Sequence, residues 1–570
     1  LDELKTELEK IGNHEGKLKG FHIKLASLRF LDPACGCGNF LVIAYRELRL
    51  LEIEVLQRLY ARQGSVLQGV ADHVAIDVDQ FYGIEIEEFP AQIAQVALWL
   101  MDHQMNLRVA EQFGEYFARL PLTKSPTIVH GNALRIDWRD VVPKEKLSYI
   151  LGNPPFVGKK EQNAAQKADM SHVFAGVKSA GVLDFVAAWY LLAAKYVQDT
   201  LIRCAFVSTN SITQGEQVGV LWSELYRLGM HIQFAHRTFK WSNEARGKAA
   251  VHCVIVGFGM SDPSSKRLFD YAHTKSDPHE FSVTNINGYL VDSPDVALQN
   301  RREAICVVPP IVFGSMPNDG GNLLLTDDEM KTLLDAEPNA APWIRPFVGA
   351  EEFINGVSRW CLWLKDMDPK QLRTLPIMRK RIAAVKACRE ASSRETTIAL
   401  AAFPMLFGED RQPLTSYLLI PSVSSERRSY IPIGFMPPTT ISSNLNLLVP
   451  DAGRYHFGIV QSTMHMAWVR SVCGRLKSDY RYSAGIVYNN FPWPDLLEDS
   501  TRAAIETAAQ GVLDMRAQFP GSTLADLYDP LTMPPALVKA HQQLDKAVDA
   551  AYIAAEKAAG RKPPKLGSDA

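Results

Sequence analysis

Two patterns of hydrophobic and polar positions alternate between residues 27 and 258. Short apolar runs rich in β-branched or aromatic residues are separated by segments of roughly ten to twenty residues with helical spacing. This alternation is typical of an α/β sheet. Seven runs are predicted to be strands: 27–32, 80–86, 126–132, 147–153, 203–209, 231–237 and 250–258. Because no helical segment of useful length separates the last two, we expect them to form an antiparallel hairpin.

The pattern changes on both sides of this region. The chain opens on an amphipathic helical stretch, LDELKTELEKIG, and after Phe258 it becomes a mixture of short segments rich in arginine, proline and aromatic residues. From about residue 498, two helical patterns lead into a Pro/Lys/Gly tail that is expected to be disordered. We therefore predict four parts: a helical lead-in (1–26), an α/β domain (27–260), a separate mixed α+β domain (261–497), and a C-terminal helical segment with its tail (498–570).

Composition narrows the class of protein. A chain of 570 residues with 47% hydrophobic residues exceeds what one core usually organises. Its 61 lysines and arginines nearly balance 63 aspartates and glutamates, so any nucleic-acid surface must be a local patch. The eight cysteines lack zinc spacing, which predicts reduced thiols and no metal site. No apolar run is long enough to span a bilayer, so a soluble cytoplasmic protein is expected.

A glycine-containing turn, LDPACGCGNF, follows the first predicted strand. Gly36 and Gly38 allow the backbone to turn sharply and to approach a ligand closely. The third glycine of a dinucleotide-binding fingerprint would fall at Leu41, which argues against a dehydrogenase. Glu85 ends the next strand, where an acid can accept hydrogen bonds from both ribose hydroxyls. Asn132 follows the third strand, and it either forms a turn or holds an adenine edge.

The most specific segment is LGNPPFVGKK, in which Asn153, Pro154, Pro155 and Phe156 directly follow the fourth strand. Two successive prolines fix φ and remove two N–H donors, which makes a stiff loop. An amine that is to be methylated needs two acceptors for its hydrogens, and the Asn153 amide oxygen and the Pro154 carbonyl supply them. The Phe156 ring can stack on the base that carries this amine.

These segments resemble those of a known family. DPACGCGNF, GIEI and NPPF, in this order, look like motifs I, II and IV of the amino-group methyltransferases, and a large domain after them is similar to the γ-class DNA adenine-N6 enzymes. WIRPFVGAEEF, PSVSSERRSYIPIGF and LKSDYRYSAGIVYNNFPWP resemble the C-terminal part of the MmeI-like, type IIL restriction-modification enzymes. The resemblance implies a Rossmann-like, seven-stranded methyltransferase sheet with helices on both faces, followed by a target-recognition domain.

The resemblance also implies S-adenosylmethionine as the cofactor. Asp32, Ala34 and Gly36 would line its methionine part, Glu85 its ribose and Asn132 its adenine. The implied cofactor-binding residues are Asp32, Pro33, Ala34, Gly36, Gly38, Asn39, Phe40, Glu85, Ile86, Asn132 and Ala133. Two positions depart from the family pattern, since Cys37 stands where serine is usual and Asn132 where many relatives have aspartate. The resemblance leads us to expect that the motif that normally precedes motif I and the family's N-terminal nuclease region lie outside this chain.

The implied reaction is methylation of adenine in double-stranded DNA, within a restriction-modification or phage-defence system. An adenine N6 amine is hidden in its base pair, so the nucleotide must swing out into a pocket beside Asn153. Transfer is then a direct displacement that depends on alignment and preorganised charge. Other planar amines, such as cytosine N4, an RNA base or a protein glutamine, are also compatible with the loop. A catalytically idle DNA-binding specificity subunit is the alternative from a different class.

Sequence recognition is assigned to the later domain. SSERRSYIP contains Glu426, Arg427 and Arg428, and glutamate can accept from cytosine N4 while arginine grips guanine O6 and N7. The alternative for this segment is a solvated charged turn. A second basic group is interleaved with tyrosines and is predicted to contact phosphates. It consists of Arg475, Lys477 and Arg481.

Overall fold

The chain divides into two compact units, Leu1–Ala297 and Leu298–Ala570. The computed structural model describes residues 1–60, 70–114, 124–241, 251–271, 276–495, 497–563 and 566. Among these residues, no helix is long and apolar enough to cross a membrane.

The first unit is built on a nine-stranded sheet with the order β3-β2-β1-β4-β5-β7-β6-β8-β9. Its strands are β1 (Phe30–Asp32), β2 (Phe81–Glu85), β3 (Thr127–His130), β4 (Tyr149–Gly152), β5 (Arg203–Thr209), β6 (His231–Trp241), β7 (Val251–Gly259), β8 (Lys266–Tyr271) and β9 (Pro278–Val283). Strands β1 to β5 are mutually parallel, whereas β7 runs antiparallel to both β5 and β6. The carboxyl ends of β1 to β5 therefore meet at one edge.

All seven predicted strands are present, and the predicted hairpin of the last two is confirmed. The sheet nevertheless has nine strands, because β8 pairs parallel with β6 and β9 pairs antiparallel with β8. Both additional strands lie beyond residue 260, the predicted end of the α/β domain, and they belong to the first unit. The polar segment GMSDPSSKR, which suggested that boundary, consists of the last residue of β7, the connection at 260–265 and the first two residues of β8.

Helices cover both faces of this sheet. They are α1 (Asp2–Ile11), α2 (Glu15–Ser27), α3 (Asn39–Tyr60), α4 (Glu88–Phe113), α5 (Trp138–Val141), α6 (Ala164–Val173), α7 (Ala187–Tyr196) and α8 (Gly215–Arg227). Phe30 and Phe81 pack with α1 to α4 in one core. Phe206 lies on the other face and packs edge-on against Tyr190 of α7. Because strand side chains alternate between faces, the two layers lie on opposite sides of the sheet.

The second unit is a mixture of small sheets and helices. Its strands are β10 (Val312–Phe313), β11 (Leu324–Thr326), β12 (Ile344–Val348), β13 (Arg359–Leu362), β14 (Tyr417–Pro421), β15 (Val423–Ser424), β16 (Gly434–Met436), β17 (Ile441–Ser442), β18 (Asn446–Pro450), β19 (Gly474–Leu476) and β20 (Asp479–Arg481). They form two four-stranded sheets, β10-β18-β14-β16 and β11-β13-β12-β17, and a three-stranded sheet, β15-β20-β19. The predicted mixed α+β character of this region is confirmed.

The helices of the second unit are α9 (Asp327–Ala336), α10 (Ala350–Asn355), α11 (Pro369–Leu372), α12 (Pro376–Glu390), α13 (Glu395–Ala399), α14 (Arg454–Val460), α15 (Thr463–Val472), α16 (Asp499–Ala517), α17 (Leu524–Leu527) and α18 (Pro535–Ala558). The two helical patterns predicted after residue 498 correspond to α16 and α18, which pack against each other. Most of the predicted disordered tail, 564–565 and 567–570, lies outside the described residues.

Candidate active site and recognition surface

The predicted catalytic and cofactor-binding segments meet at one edge of the first unit's sheet. The glycine turn follows β1, Glu85 ends β2, and the Asn153–Phe156 loop follows β4. In the sheet β1 lies directly between β2 and β4, so the glycine turn is flanked by the acid on one side and by the loop on the other. The direction of the connections reverses at β1 and β4, and open α/β sheets bind their ligands at such a point.

The glycine turn is tied to the end of β2. Gly36 and Gly38 have φ angles of 54° and 82°, a left-handed conformation that other residues seldom adopt. The Gly36 N–H donates to Glu85 Oε2 at 2.8 Å, and the Cys35 N–H donates to the Ile84 carbonyl at 3.1 Å. Apart from its two chain neighbours, no described residue places an atom within 4 Å of the position where a Cβ of Gly36 would stand. The turn therefore leaves open room directly above its backbone.

Glu85 is half-buried and uses both carboxylate oxygens locally. Its second oxygen accepts from the Glu87 N–H at 3.0 Å. Each carboxylate oxygen has two lone-pair directions, so each can accept one further hydrogen bond. The backbone bonds thus fix the orientation of the carboxylate and leave it acceptor capacity for a pair of hydroxyls.

Asp32 is almost fully buried at the end of β1, where its Oδ1 accepts from the Ala34 N–H at 3.0 Å. Burial, with the nearby Glu85 charge adding to it, raises the pKa of Asp32 to about 7. The carboxylate lies against the end of β4, since a Cβ on Gly152 would stand only 2.5 Å from Asp32 Oδ1. Gly152 is a site residue that sequence reasoning missed, because the need for glycine comes from a neighbouring strand.

Asn132 forms turn contacts, which was one of its two interpretations. Its Oδ1 accepts from the Leu134 N–H at 2.9 Å, and its Nδ2 donates to Asp169 Oδ2 at 3.0 Å. Asp169 of α6 also pairs with Arg135 Nε at 2.7 Å. The Asn132 side chain is therefore held in place by a carboxylate 37 residues later in the chain. Its predicted contact with adenine stays a prediction.

The other predicted cofactor residues surround the turn with different exposures. Pro33 and Ala133 are buried, whereas Asn39, Phe40 and Ile86 are exposed. Asn39 and Phe40 begin α3 directly after the turn, and the Pro33 carbonyl accepts a hydrogen bond from the Trp189 indole at 3.0 Å. Trp189 belongs to α7 and was not among the predicted site residues.

The Asn153–Phe156 loop presents its polar end to solvent. Asn153 and Pro155 are exposed, Pro154 is buried and Phe156 is half-buried. Within the part of the chain that the structure describes, the Asn153 side chain makes no hydrogen bond. The Asn153 amide oxygen therefore keeps its acceptor capacity, and its predicted role in holding a substrate amine stays a prediction.

Just downstream, the loop is anchored by residues that the sequence analysis did not single out. Asp184 is 3% exposed, and its Oδ1 accepts from the Val157 N–H at 3.2 Å. Gln162 Nε2 donates to the Val157 carbonyl at 3.2 Å. Burial raises the pKa of Asp184, and its hydrogen-bond donors oppose this rise. An aspartate just before an apolar helical run is a helix-start signal, which could have drawn attention to Asp184.

In the second unit, the structure brings the two predicted DNA-contacting segments together. Val423 and Ser424 of β15 pair with Arg481 and Tyr480 of β20, so residues 426–428 follow directly from the three-stranded sheet. The Glu426 N–H donates to Asp479 Oδ1 at 3.3 Å. We call this sheet, with residues 425–428, the recognition sheet.

The six predicted DNA-binding residues on this surface differ in exposure and in the contacts of their side chains. Arg475 stacks over the Tyr480 ring at 3.9 Å and donates to the Ser478 carbonyl at 3.2 Å. Arg428 is half-buried, and burial lowers its pKa against the opposing charges of Asp479 and Asp529. Glu426 is exposed. Three further cations are exposed and make no side-chain hydrogen bond or ion pair with any described residue. This exposed basic group consists of Arg427, Lys477 and Arg481.

The parallel sheet, glycine turn, strand-end acid and Asn-Pro-Pro-Phe loop together define an α/β methyltransferase domain. Three family models match the chain in succession. They are the MmeI DNA-methyltransferase domain at residues 8–270, the MmeI target recognition domain at 292–495 and the MmeI C-terminal domain at 497–562.

Two relatives extend this result over almost the whole chain. DNA methyltransferase A of Bacillus subtilis (strain 168) is 42% identical over 557 residues, which cover 97% of this chain and 62% of that protein. The solved structure of the type IIL restriction-modification enzyme MmeI in complex with DNA is 53% identical, covers 99% of this chain and 74% of that chain, and has a TM-score of 0.90. The chain belongs to the MmeI family of type IIL restriction-modification enzymes. It spans about three fifths of the length of the B. subtilis relative.

Proposed function

We propose that this protein is a site-specific DNA methyltransferase that transfers a methyl group from S-adenosylmethionine to the N6 amine of a flipped-out adenine, as part of a restriction-modification system. The observation that carries the proposal is the unpartnered Asn153 amide at the end of β4, beside a glycine turn with open room above it. The names of the relatives support DNA as the substrate, since one is a DNA methyltransferase and the other was solved with DNA.

The residues present fit the cofactor. The space above Gly36 accepts a ligand in van der Waals contact with backbone, and the fixed Glu85 carboxylate suits two hydroxyls. Asp32 offers a negative charge to a cationic ligand. When bound, S-adenosylmethionine supplies the methyl group as an activated sulfonium substituent.

The chain's own residues then orient the acceptor. Asn153 Oδ1 and the Pro154 carbonyl accept the two hydrogens of the amine, so its lone pair points away from them. Phe156 offers its half-buried ring to the face of the base. When the base is held in this way, the entropic cost of alignment is met by binding before the reaction, and this can lower the barrier by several kcal/mol. The flipped base leaves its stack at a cost of a few kcal/mol.

The recognition sheet reads the DNA in this proposal. Exposed Glu426 is free to accept from a cytosine N4 amine, and the exposed basic group contacts phosphates. Arg428 is half-buried. Its predicted base-reading role therefore requires either that the side chain moves to the surface or that a base reaches it where it lies. Exposure therefore favours direct contact with double-stranded DNA for four of the six predicted residues, which are Glu426, Arg427, Lys477 and Arg481.

Methyl transfer from labelled S-adenosylmethionine to unmethylated genomic DNA tests the function. We expect label in N6-methyladenine when the digested nucleosides are separated by mass spectrometry. Asn153→Ala should reduce the rate about 100-fold, since a misplaced reacting group costs about this much. Duplex binding should persist, because phosphate contacts supply most of the affinity. Asn163→Ala, an exposed helix cap ten residues later, is the matched control and should keep the wild-type rate.

Other outcomes identify the alternatives. Label in N4-methylcytosine, in RNA or in protein would assign the same chemistry to a different amine. An unlabelled product with normal DNA binding and no cofactor binding would identify an idle specificity subunit. Near-normal transfer by Asn153→Ala would contradict the role given to this loop.

A further inference from the structure

The Asn153–Phe156 loop, called the catalytic loop below, has few backbone groups that can donate hydrogen bonds. Pro154 and Pro155 lack N–H groups, so the middle of the loop cannot donate hydrogen bonds. Its upstream end is held by β4, where Gly152 pairs with Phe206 of β5. The position of the loop therefore depends on how its downstream end is fixed.

That end is fixed at Val157, directly after Phe156. The Val157 N–H donates to Asp184 Oδ1, and its carbonyl accepts from the Phe185 N–H at 3.0 Å and from Gln162 Nε2. Both backbone groups of this one residue are thus satisfied. Gln162 also donates to the Leu183 carbonyl at 3.1 Å, which ties the same two segments a second time.

Asp184 joins three elements through one buried carboxylate. Besides Val157, its Oδ1 accepts from the Val186 N–H at 3.3 Å, at the start of α7. Its Oδ2 accepts from the Thr209 hydroxyl at 3.0 Å, at the carboxyl end of β5. Thr209 and Gly152 end neighbouring strands, so the carboxylate links the downstream end of the loop to the same sheet edge from which the loop emerges.

The same segment also reaches the glycine turn, because the Trp189 indole one turn later donates to the Pro33 carbonyl. Trp189 packs edge-on against Phe185 with ring centroids 5.3 Å apart. Residues 184–189 thus contact the residue after the catalytic loop at one end and the glycine turn at the other.

We propose that Asp184 is the positioning residue of the catalytic loop. It fixes Val157 and thereby holds Phe156 and Asn153 where they meet the amine, while touching neither cofactor nor substrate itself. This inference rests on the proposed methyl transfer. Displacing a reacting group by about 1 Å can cost about 100-fold in rate, so loss of this one anchor should have a measurable effect on methyl transfer.

Two substitutions at Asp184 separate positioning from general stability. Asp184→Ala removes both acceptors and releases the Val157 N–H. Asp184→Asn keeps an amide oxygen for the Val157 and Val186 N–H groups and can donate to the Thr209 hydroxyl, so it should restore the geometry. Asp102→Asn, at an equally buried carboxylate in the α3–α4 layer, controls for the loss of a buried charge.

The measurements are the single-turnover rate of methyl transfer in the full chain, the cofactor dissociation constant by calorimetry, and hydrogen exchange of the peptide that contains Val157. For Asp184→Ala we expect a rate about 100-fold lower, faster exchange at Val157 and a nearly unchanged dissociation constant. Asp184→Asn should recover at least about tenfold of the lost rate. Asp102→Asn should leave both the rate and the Val157 exchange at wild-type values.

Several results would overturn the inference. A normal rate for Asp184→Ala in an active protein contradicts it alone, as does an equal loss for Asp184→Ala and Asp184→Asn. If Asp184→Ala fails to fold, Gln162→Met loosens Val157 by removing one bond to its carbonyl without disturbing the carboxylate, and a normal rate despite faster Val157 exchange in that variant refutes positioning through Val157. A wild-type protein that methylates no amine contradicts the proposed function first, and the inference falls with it.

Discussion

Asp32→Asn should stabilise the first unit and weaken cofactor binding at the same time. The amide is isosteric and can still accept from the Ala34 N–H, so the change mainly removes a buried charge. A pKa of about 7, against an ordinary value of about 3.9, means that ionising Asp32 costs the folded protein about 4 kcal/mol more than it costs the unfolded chain.

The sign of the pH dependence follows from this raised pKa. Below about pH 4, Asp32 is protonated in both states and contributes nothing. Between about pH 4 and 7, only the unfolded chain releases the proton, so stability falls as pH rises, and above pH 7 the full cost is present. Asp32→Asn avoids this cost. Its advantage should be about 4 kcal/mol at pH 8 and should vanish near pH 4.

Calorimetric melting of the first unit at pH 4 and pH 8 measures this difference. With an unfolding entropy of about 0.6 kcal/mol/K for the 297 residues of Leu1–Ala297, 4 kcal/mol corresponds to a rise of about 6 °C. Affinity for S-adenosylmethionine should show the opposite preference, because a cationic ligand favours the ionised carboxylate. Wild-type affinity should rise about tenfold per pH unit up to about pH 7 and then level off, whereas that of Asp32→Asn should stay low and flat. A variant that melts no higher than the wild type at pH 8 would refute the reasoning.

Three further predictions concern particular residues of the two units. Gly152→Ala places a Cβ against Asp32 and should weaken cofactor binding at least about tenfold, since a 1 Å displacement suffices; unchanged calorimetric affinity would contradict this close approach. Asp102→Ala breaks a buried pair with Arg49 at 3.1 Å and should cost about 3 kcal/mol of unfolding free energy, whereas exposed Asp140→Ala should cost under about 0.5; equal melting of the two would refute the buried network. Alanine at all three positions of the exposed basic group should lower the affinity for every DNA sequence. The slope of log affinity against log salt concentration should become shallower by about 0.9 for each phosphate that is no longer neutralised. A changed methylation site with an unchanged slope would instead indicate base reading.

The position of the candidate site was predictable because each of its segments is local in sequence. A glycine turn, an acid at a strand end and a Pro-Pro loop can each be recognised within about ten residues of sequence. Parallel pairing of the strands then brings them to one edge of the sheet. The anchors were not predictable in this way. Asp184 holds Val157 across 27 residues, and the glycine at position 152 is required by a carboxylate on the neighbouring strand. Contacts of this kind depend on the register of the folded chain.

The end of the methyltransferase sheet was missed for a related reason. Strand β8 joins β6 in parallel with Phe234 opposite Arg267, and β9 carries exposed residues along most of its length. A strand with little to bury lacks the apolar run that identified the seven predicted strands. Polar composition after residue 260 therefore marked the edge of a sheet, and the first unit extends to Ala297.

The recognition sheet imposes a condition on changes of DNA specificity. Residues 426–428 and 475–481 are about fifty positions apart, yet Val423 and Ser424 pair directly with Arg481 and Tyr480. The N–H of Glu426 is bound by Asp479, and the pKa of Arg428 depends on the same acid. A substitution at Arg428 alone therefore also changes the charge that faces Asp479 on its partner strand, whereas Glu426 keeps its backbone hydrogen bond to Asp479 whatever its side chain. We expect that exchanging the two segments together between family members transfers specificity, whereas exchanging 426–428 alone weakens binding to every sequence, and methylated-site sequencing distinguishes these outcomes.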